Sequence, residues 1–126
     1  MENRKRIQSF TDLIVWQEGH ALVLMVYKET KKFPKEEQFG LMSQMQRAAV
    51  SITSNIAEGF SRQSHKEKIQ FYAIAHGSLT ELQNQLLIAR DVGYVTNQTF
   101  KTLADKSVTV HKLLNAFIRG AKRFLS

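Results

Sequence analysis

Near the end of this chain Phe100, Leu103, Ser107, Val110, Leu114, Phe117, Ala121 and Phe124 recur at alternating intervals of three and four. That alternation is the period of one helix face, so the segment is committed to a helix with a single continuous seam. The segment before it repeats the pattern with Tyr72, Ala75, Leu79, Leu82, Leu86 and Ala89. Two such seams cannot bury themselves alone. They must pack on each other and on further helices, which narrows the fold to an all-helical bundle.

Little in the chain interrupts helices. One proline and six glycines in 126 residues leave long unbroken stretches, and that length suits one domain with a compact core. The first helix is expected from about Thr11 to Lys32, capped by Ser9 or Thr11, with Leu13, Trp16, His20, Val23 and Tyr27 as its seam and Leu22, Val26, Ile14 and Val15 as a second row. Phe33-Pro34 ends it. A second helix begins near Pro34 or after Phe39-Gly40, shows a face of Leu41, Met45, Ala48, Ile52 and Asn55, and stops at Gly59 in a left-handed turn. The third starts near His65 behind a Ser64 to Glu67 capping box and ends near Asp91, with Gly93 in the left-handed position. Thr96 caps the fourth, with Val95 and Phe100 spaced as a hydrophobic staple. Four helices with short connections predict an antiparallel up-down-up-down four-helix bundle over residues 9–126, preceded by a basic, flexible arm at residues 1–8.

The second helix carries small residues, Ala48, Ala49, Ser51, Ser54 and Ala57, beside the polar Gln44, Arg47, Asn55 and Glu58. Here SQMQRAAVSITSNIAEG joins Asp12-Leu13, Val15-Trp16-Gln17, Phe33-Pro34, Phe39-Gly40-Leu41, Arg62 and the run Gly77 to Leu82, GSLTEL. Over Phe10 to Tyr94 the chain resembles the four-helix-bundle 23S ribosomal RNA intervening-sequence proteins. The resemblance implies a homopentamer, and a kinship to accessory variability determinants, which serve diversity-generating retroelements by binding reverse transcriptase and nucleic acid. Two positions depart from the pattern: Thr53 stands where relatives commonly have proline, and His76 where they commonly have arginine.

No chemistry of catalysis is legible. Cysteine is absent, which removes disulfides, thiolate metal sites and thiol nucleophiles. His20, His65, His76 and His111 are not spaced as ligand pairs, and no histidine lies three residues after a glutamate, as helical di-metal sites require. The isolated glycines match no phosphate loop, Rossmann fingerprint or nucleophile elbow, and Gly77-Ser78 reads as a close helix contact. The expectation is a non-enzymatic protein with no metal or cofactor. Arg47, Glu58 and Glu81 form a constellation, although Arg47 and Glu81 differ by about 9 Å of helical rise. Together with Gln44 and Asn55 they read as a polar network that fixes register or assembly.

Charge supplies the functional expectation. Eighteen Lys and Arg against eleven Asp and Glu give a net charge of +7, and no acidic residue follows Asp105. Lys112, Arg119, Lys122 and Arg123, with Arg4, Lys5 and Arg6 in the arm, are the candidates for contact with the backbone of RNA or DNA. Wide apolar surfaces on the first, third and fourth helices predict a homo-oligomer, and a ring would repeat the basic residues into a multivalent surface. A protein-interaction scaffold, with the charge serving solubility, is the alternative. No signal-peptide or membrane-length apolar segment is found, so no membrane role and a cytoplasmic location are expected.

Overall fold

The structure is a computed structural model that describes residues 6–125. Four helices account for most of them: α1 Ile14–Thr30, α2 Leu41–Ser61, α3 His65–Asp91 and α4 Asn97–Lys122. Short 3₁₀ turns at Phe10–Asp12, Lys35–Glu37 and Arg123–Leu125 flank them, and no strand occurs among the described residues. α1 packs on α2 and α4, and α3 packs on the same two helices. The core lies between them, with Leu22, Val26, Met45, Ile52, Ile56, Leu79, Leu82, Leu86, Leu103, Val110 and Leu114 fully buried. Each such side chain contributes about 1.5–3 kcal/mol by leaving water.

The expected helix boundaries hold where caps define them. Ser64 Oγ accepts the Glu67 N–H at 3.1 Å and Thr96 Oγ1 accepts that of Thr99 at 3.1 Å. Gly93 takes φ +85° at the end of α3, a conformation that costs glycine little and other residues about 1 kcal/mol. α2 begins at the later of its two expected starts, because Glu37 Oε1 accepts the Leu41 N–H at 2.9 Å and so caps the helix from the preceding turn.

Three expectations are corrected. α1 starts at Ile14 rather than Thr11: Ser9 and Asp12 close a separate turn, through Thr11 N–H to Ser9 Oγ at 3.1 Å and Ser9 N–H to Asp12 Oδ2 at 3.2 Å, and Leu13 is extended. The face of α1 is also rotated. Val15, Gly19, Leu22, Val23 and Val26 enter the core, while His20 is exposed and Tyr27 is 38% exposed. Two rows with helical period existed, and the one free of imidazole and phenol lost less hydration on burial. Lastly, Gly59 does not stop α2, which continues to Ser61. A Cβ at Gly59 would stand 2.5 Å from Tyr72 Cε1 and 3.0 Å from Phe71 Cβ. The glycine is there because an aromatic ring of α3 lies against its backbone.

Close approach recurs between α1 and α2, where a Cβ on Gly19 would come within 3.1 Å of Thr53 Cγ2. Thr53 Oγ1 donates to the Val50 carbonyl at 3.2 Å, so its hydroxyl is satisfied within an uninterrupted helix. Between α2 and α3, Ser51 Oγ and Ser78 Oγ are 2.7 Å apart, and Asn55 Nδ2 donates to the Ser51 carbonyl at 2.7 Å. A Cβ on Gly77 would meet nothing within 4 Å beyond its own helix among the described residues. Of the Gly77-Ser78 pair, only the serine marks a helix contact.

Candidate functional site

Where α2 hands over to α3, the chain meets the far end of α4. His65, in the first turn of α3, stacks on Phe124 with ring centroids 4.3 Å apart and planes 19° from parallel. Two turns further, Tyr72 lies 4.7 Å from Phe117. Phe60, His65, Lys68, Tyr72, Phe117 and Phe124 line an open groove of about 520 Å³, completed by Arg123 and the small Ala116, Gly120 and Ala121. Among the described residues, three basic side chains and no acidic one belong to that lining.

The groove has a stiff floor and a loose rim. Tyr72 is buried, and burial pushes its hydroxyl up to about 12. It therefore stays neutral at physiological pH. Lys68 Nζ donates to the Phe60 carbonyl at 2.7 Å and to that of Gly59 at 3.4 Å, and lies 5.4 Å from the Phe60 ring. Its ammonium thus serves the negative end of α2, and partial burial holds it below the usual lysine range. Phe124, by contrast, is 70% exposed in the turn after α4.

Most of the expected basic residues gather at this end of the molecule. Arg119, Lys122 and Arg123 are exposed around the last turn of α4. Lys112 and Arg119 are seven residues apart, and Arg123 follows four later, so the three share one face over about 16 Å of helix. Arg6 is exposed, and its neighbour Ile7 lines a hollow with Leu113, Ala116 and Phe117 of α4, which brings the start of the described chain alongside the same helix. Arg4 and Lys5 lie outside the described residues. Spacing alone did not nominate Arg62, His65 and Lys66, yet they flank the connection into α3 at this end. Nearby carboxylates are Glu58, which pairs with Arg62 at 3.0 Å, Glu67, and Asp12, which lines the same hollow as Ile7.

The opposite end holds more carboxylates, Glu29, Glu36, Glu37, Asp91 and Asp105, although Lys28, Lys31 and Lys35 there also make no ion pair among the described residues. Lys32 pairs with Glu29, Arg90 with Asp91 and Lys101 with Asp105. Lys106, midway along α4, is held by Glu18 of α1 at 2.7 Å. Lys112, Arg119 and Lys122 make no ion pair among the described residues.

The polar residues expected to form a network are dispersed. Gln44, Arg47, Glu58 and Glu81 are exposed, and Asn55 is half-buried. Arg47 lines a shallow hollow with Tyr27, Ser43, Gln46, Val50 and Ser51 between α1 and α2. The polar contact built between α2 and α3 is instead the Ser51, Ser78 and Asn55 cluster. Among the described residues no three His, Asp or Glu side chains are grouped to hold a metal. Each histidine meets another ring: His20 stacks on Trp16, His65 on Phe124, and His76 meets His111 edge-on.

No described helix is long and apolar enough to cross a membrane. Comparison with known proteins adds one family and one fold. The family model described as 23S rRNA-intervening sequence protein matches residues 11–116. A crystal structure from Bacteroides thetaiotaomicron VPI-5482, of a protein of unknown function from the S23 ribosomal protein family, superimposes with a TM-score of 0.79. It is 24% identical, and the match covers 86% of this chain and 98% of that one. No curated protein matches the chain.

Proposed function

This chain belongs to the 23S rRNA-intervening sequence protein family, and we propose that it is a non-enzymatic, oligomeric four-helix scaffold whose basic end binds the backbone of RNA or DNA with little regard to sequence. One observation carries this reading. Arg119 and Lys122, with no ion pair among the described residues, stand in the last turn of α4, at the end of the bundle that also carries Arg62, His65, Lys66 and Arg123, and Lys112, likewise without one, lies about 10 Å back along the helix. Cations left without carboxylates favour a polyanion, because each phosphate they neutralise releases condensed counterions.

An antiparallel up-down-up-down course belongs to this reading. Support comes from the pairs Lys68 with Phe60, Tyr72 with Gly59 and Ser78 with Ser51, which recede along α2 as they advance along α3. His65 with Phe124, His76 with His111 and Arg90 with Phe100 do the same for α3 and α4. Assembly as a homo-oligomeric ring of five, in the cytoplasm, is part of the same proposal. It is favoured by large apolar side chains left exposed, among them Ile14 and Leu24 on α1, Ile74, Leu87 and Ile88 on α3, and Val108 on α4.

The same apolar residues favour the second reading, a scaffold that recruits another protein. Light scattering of the protein alone and with a labelled RNA or DNA duplex, at low and moderate salt, separates the two. Uptake that falls steeply with salt supports the nucleic-acid scaffold. A ring indifferent to nucleic acid favours a protein partner, and a monomer removes the assembly argument.

A further inference from the structure

We propose that the groove between the start of α3 and the end of α4 takes an unpaired nucleobase of a single strand, stacked against Phe124. This rests on the nucleic-acid reading above and goes beyond it, since backbone contact alone does not distinguish a single strand from a duplex in this way. Phe124 keeps the three-four seam of α4, but it falls past the last buried turn. Its ring is 70% exposed, and one face is already ordered by His65 at 4.3 Å. An exposed, pre-oriented aromatic is costly in water and suited to stacking, because every base presents a π-face.

The lining matches the rest of a nucleotide. Phe60, Tyr72 and Phe117 make the floor apolar, while His65, Lys68 and Arg123 supply basic groups on the lining. The volume of about 520 Å³ is in the range of sites for small ligands. Arg123 is the cation from this end of the chain that lines the groove; Arg119 and Lys122, in the last turn of α4, face away from it and are left to hold the strand where it runs past the end of the bundle. An apolar body beside anionic groups is therefore the complementary chemistry, and a strand already held by those cations meets it. A duplex keeps its bases stacked and paired, so it gains nothing from the ring.

Fluorescence anisotropy tests this with one labelled RNA strand, alone and annealed to its complement, at matched salt. The wild-type protein should prefer the single strand. Phe124→Ala should weaken single-strand binding by roughly tenfold and leave duplex binding unchanged, while Phe124→Trp should keep the preference. Phe124 is outside the core, so the alanine variant should fold, with circular dichroism as the check. An unchanged ratio of single-strand to duplex affinity in Phe124→Ala would overturn the proposal, and would do so while the backbone scaffold stood. A smaller solution mass for Phe124→Ala would overturn it differently, by assigning the groove to a second copy of the chain. Failure to bind either strand at low salt would remove the nucleic-acid reading and this inference together.

Discussion

The Tyr94 hydroxyl donates to Glu37 Oε2 at 2.7 Å, tying the connection between α3 and α4 to the turn before α2 across fifty-seven positions of sequence. The other carboxylate oxygen of Glu37 accepts the Leu41 N–H, and the Tyr94 ring packs 5.2 Å from buried Phe33. One carboxylate therefore caps a helix and anchors a loop. The Leu41 N–H and the Tyr94 hydroxyl hold Glu37 below the usual carboxylate range, and the same contact raises Tyr94.

The sign of the resulting pH dependence follows from linkage. Depression of the Glu37 pKa stabilises the fold above the unfolded carboxylate value, and this contribution is lost as pH falls through the lower folded value. Elevation of the Tyr94 pKa stabilises the fold below the unfolded phenol value and is lost as pH rises through the higher folded one. Tyr94→Phe should therefore be less stable than wild type at neutral pH. The difference should shrink at both the acid and alkaline extremes, as urea midpoints across pH would reveal.

Gly59 and Gly77 should respond oppositely to alanine. At Gly59 the new Cβ would press on the buried Tyr72 ring at 2.5 Å, and the overpacking should cost about 1–2 kcal/mol net of the better helix propensity. At Gly77 an added Cβ would meet nothing within 4 Å among the described residues beyond its own helix, so alanine should stabilise α3 by about 0.5–1 kcal/mol. Chemical denaturation of both variants checks this. A destabilised Gly77→Ala would mean that another subunit approaches that point.

Gln85 is only 5% exposed, and its Oε1 lacks a hydrogen-bond partner among the described residues. An unsatisfied buried acceptor is destabilising, and methionine keeps most of the volume without it. Gln85→Met should raise stability by about 1 kcal/mol, measured as a higher urea midpoint at unchanged slope. A loss of stability would mean that the amide finds its partner in the assembled protein.

Replacing Lys112, Arg119 and Lys122 by glutamine should flatten the dependence of nucleic-acid affinity on salt. If each contacts one phosphate, the slope of log affinity against log salt falls by about 0.9 per residue. The fold should be unaffected, since all three are exposed. Lys101→Gln, which breaks an ion pair with Asp105 at the other end, is the matched control and should leave that slope unchanged.

The sequence by itself determined four helices and most of their caps. Three-four spacing and cap chemistry are local, and each needs only a few consecutive residues. The seam of α3 was legible in full, from Tyr72 to Ala89, because its alternative face is mixed in character. α1 was not, because two rows had helical period and only the neighbouring helices decide which one is buried. Gly59 was misread for the same reason: glycine near a helix end suits a left-handed stop, and the ring that requires it belongs to α3. The basic residues of α4 were legible as charge. Only the tertiary structure shows that Arg123, just past α4, shares an aromatic groove with His65 and Lys68. Phe124 continues the core period of its helix, and nothing in its spacing reveals that the buried part of that seam ends at Leu114. Local pattern sets which segments are helices; packing sets which face is buried, where the core stops, and what is left at its edge to bind.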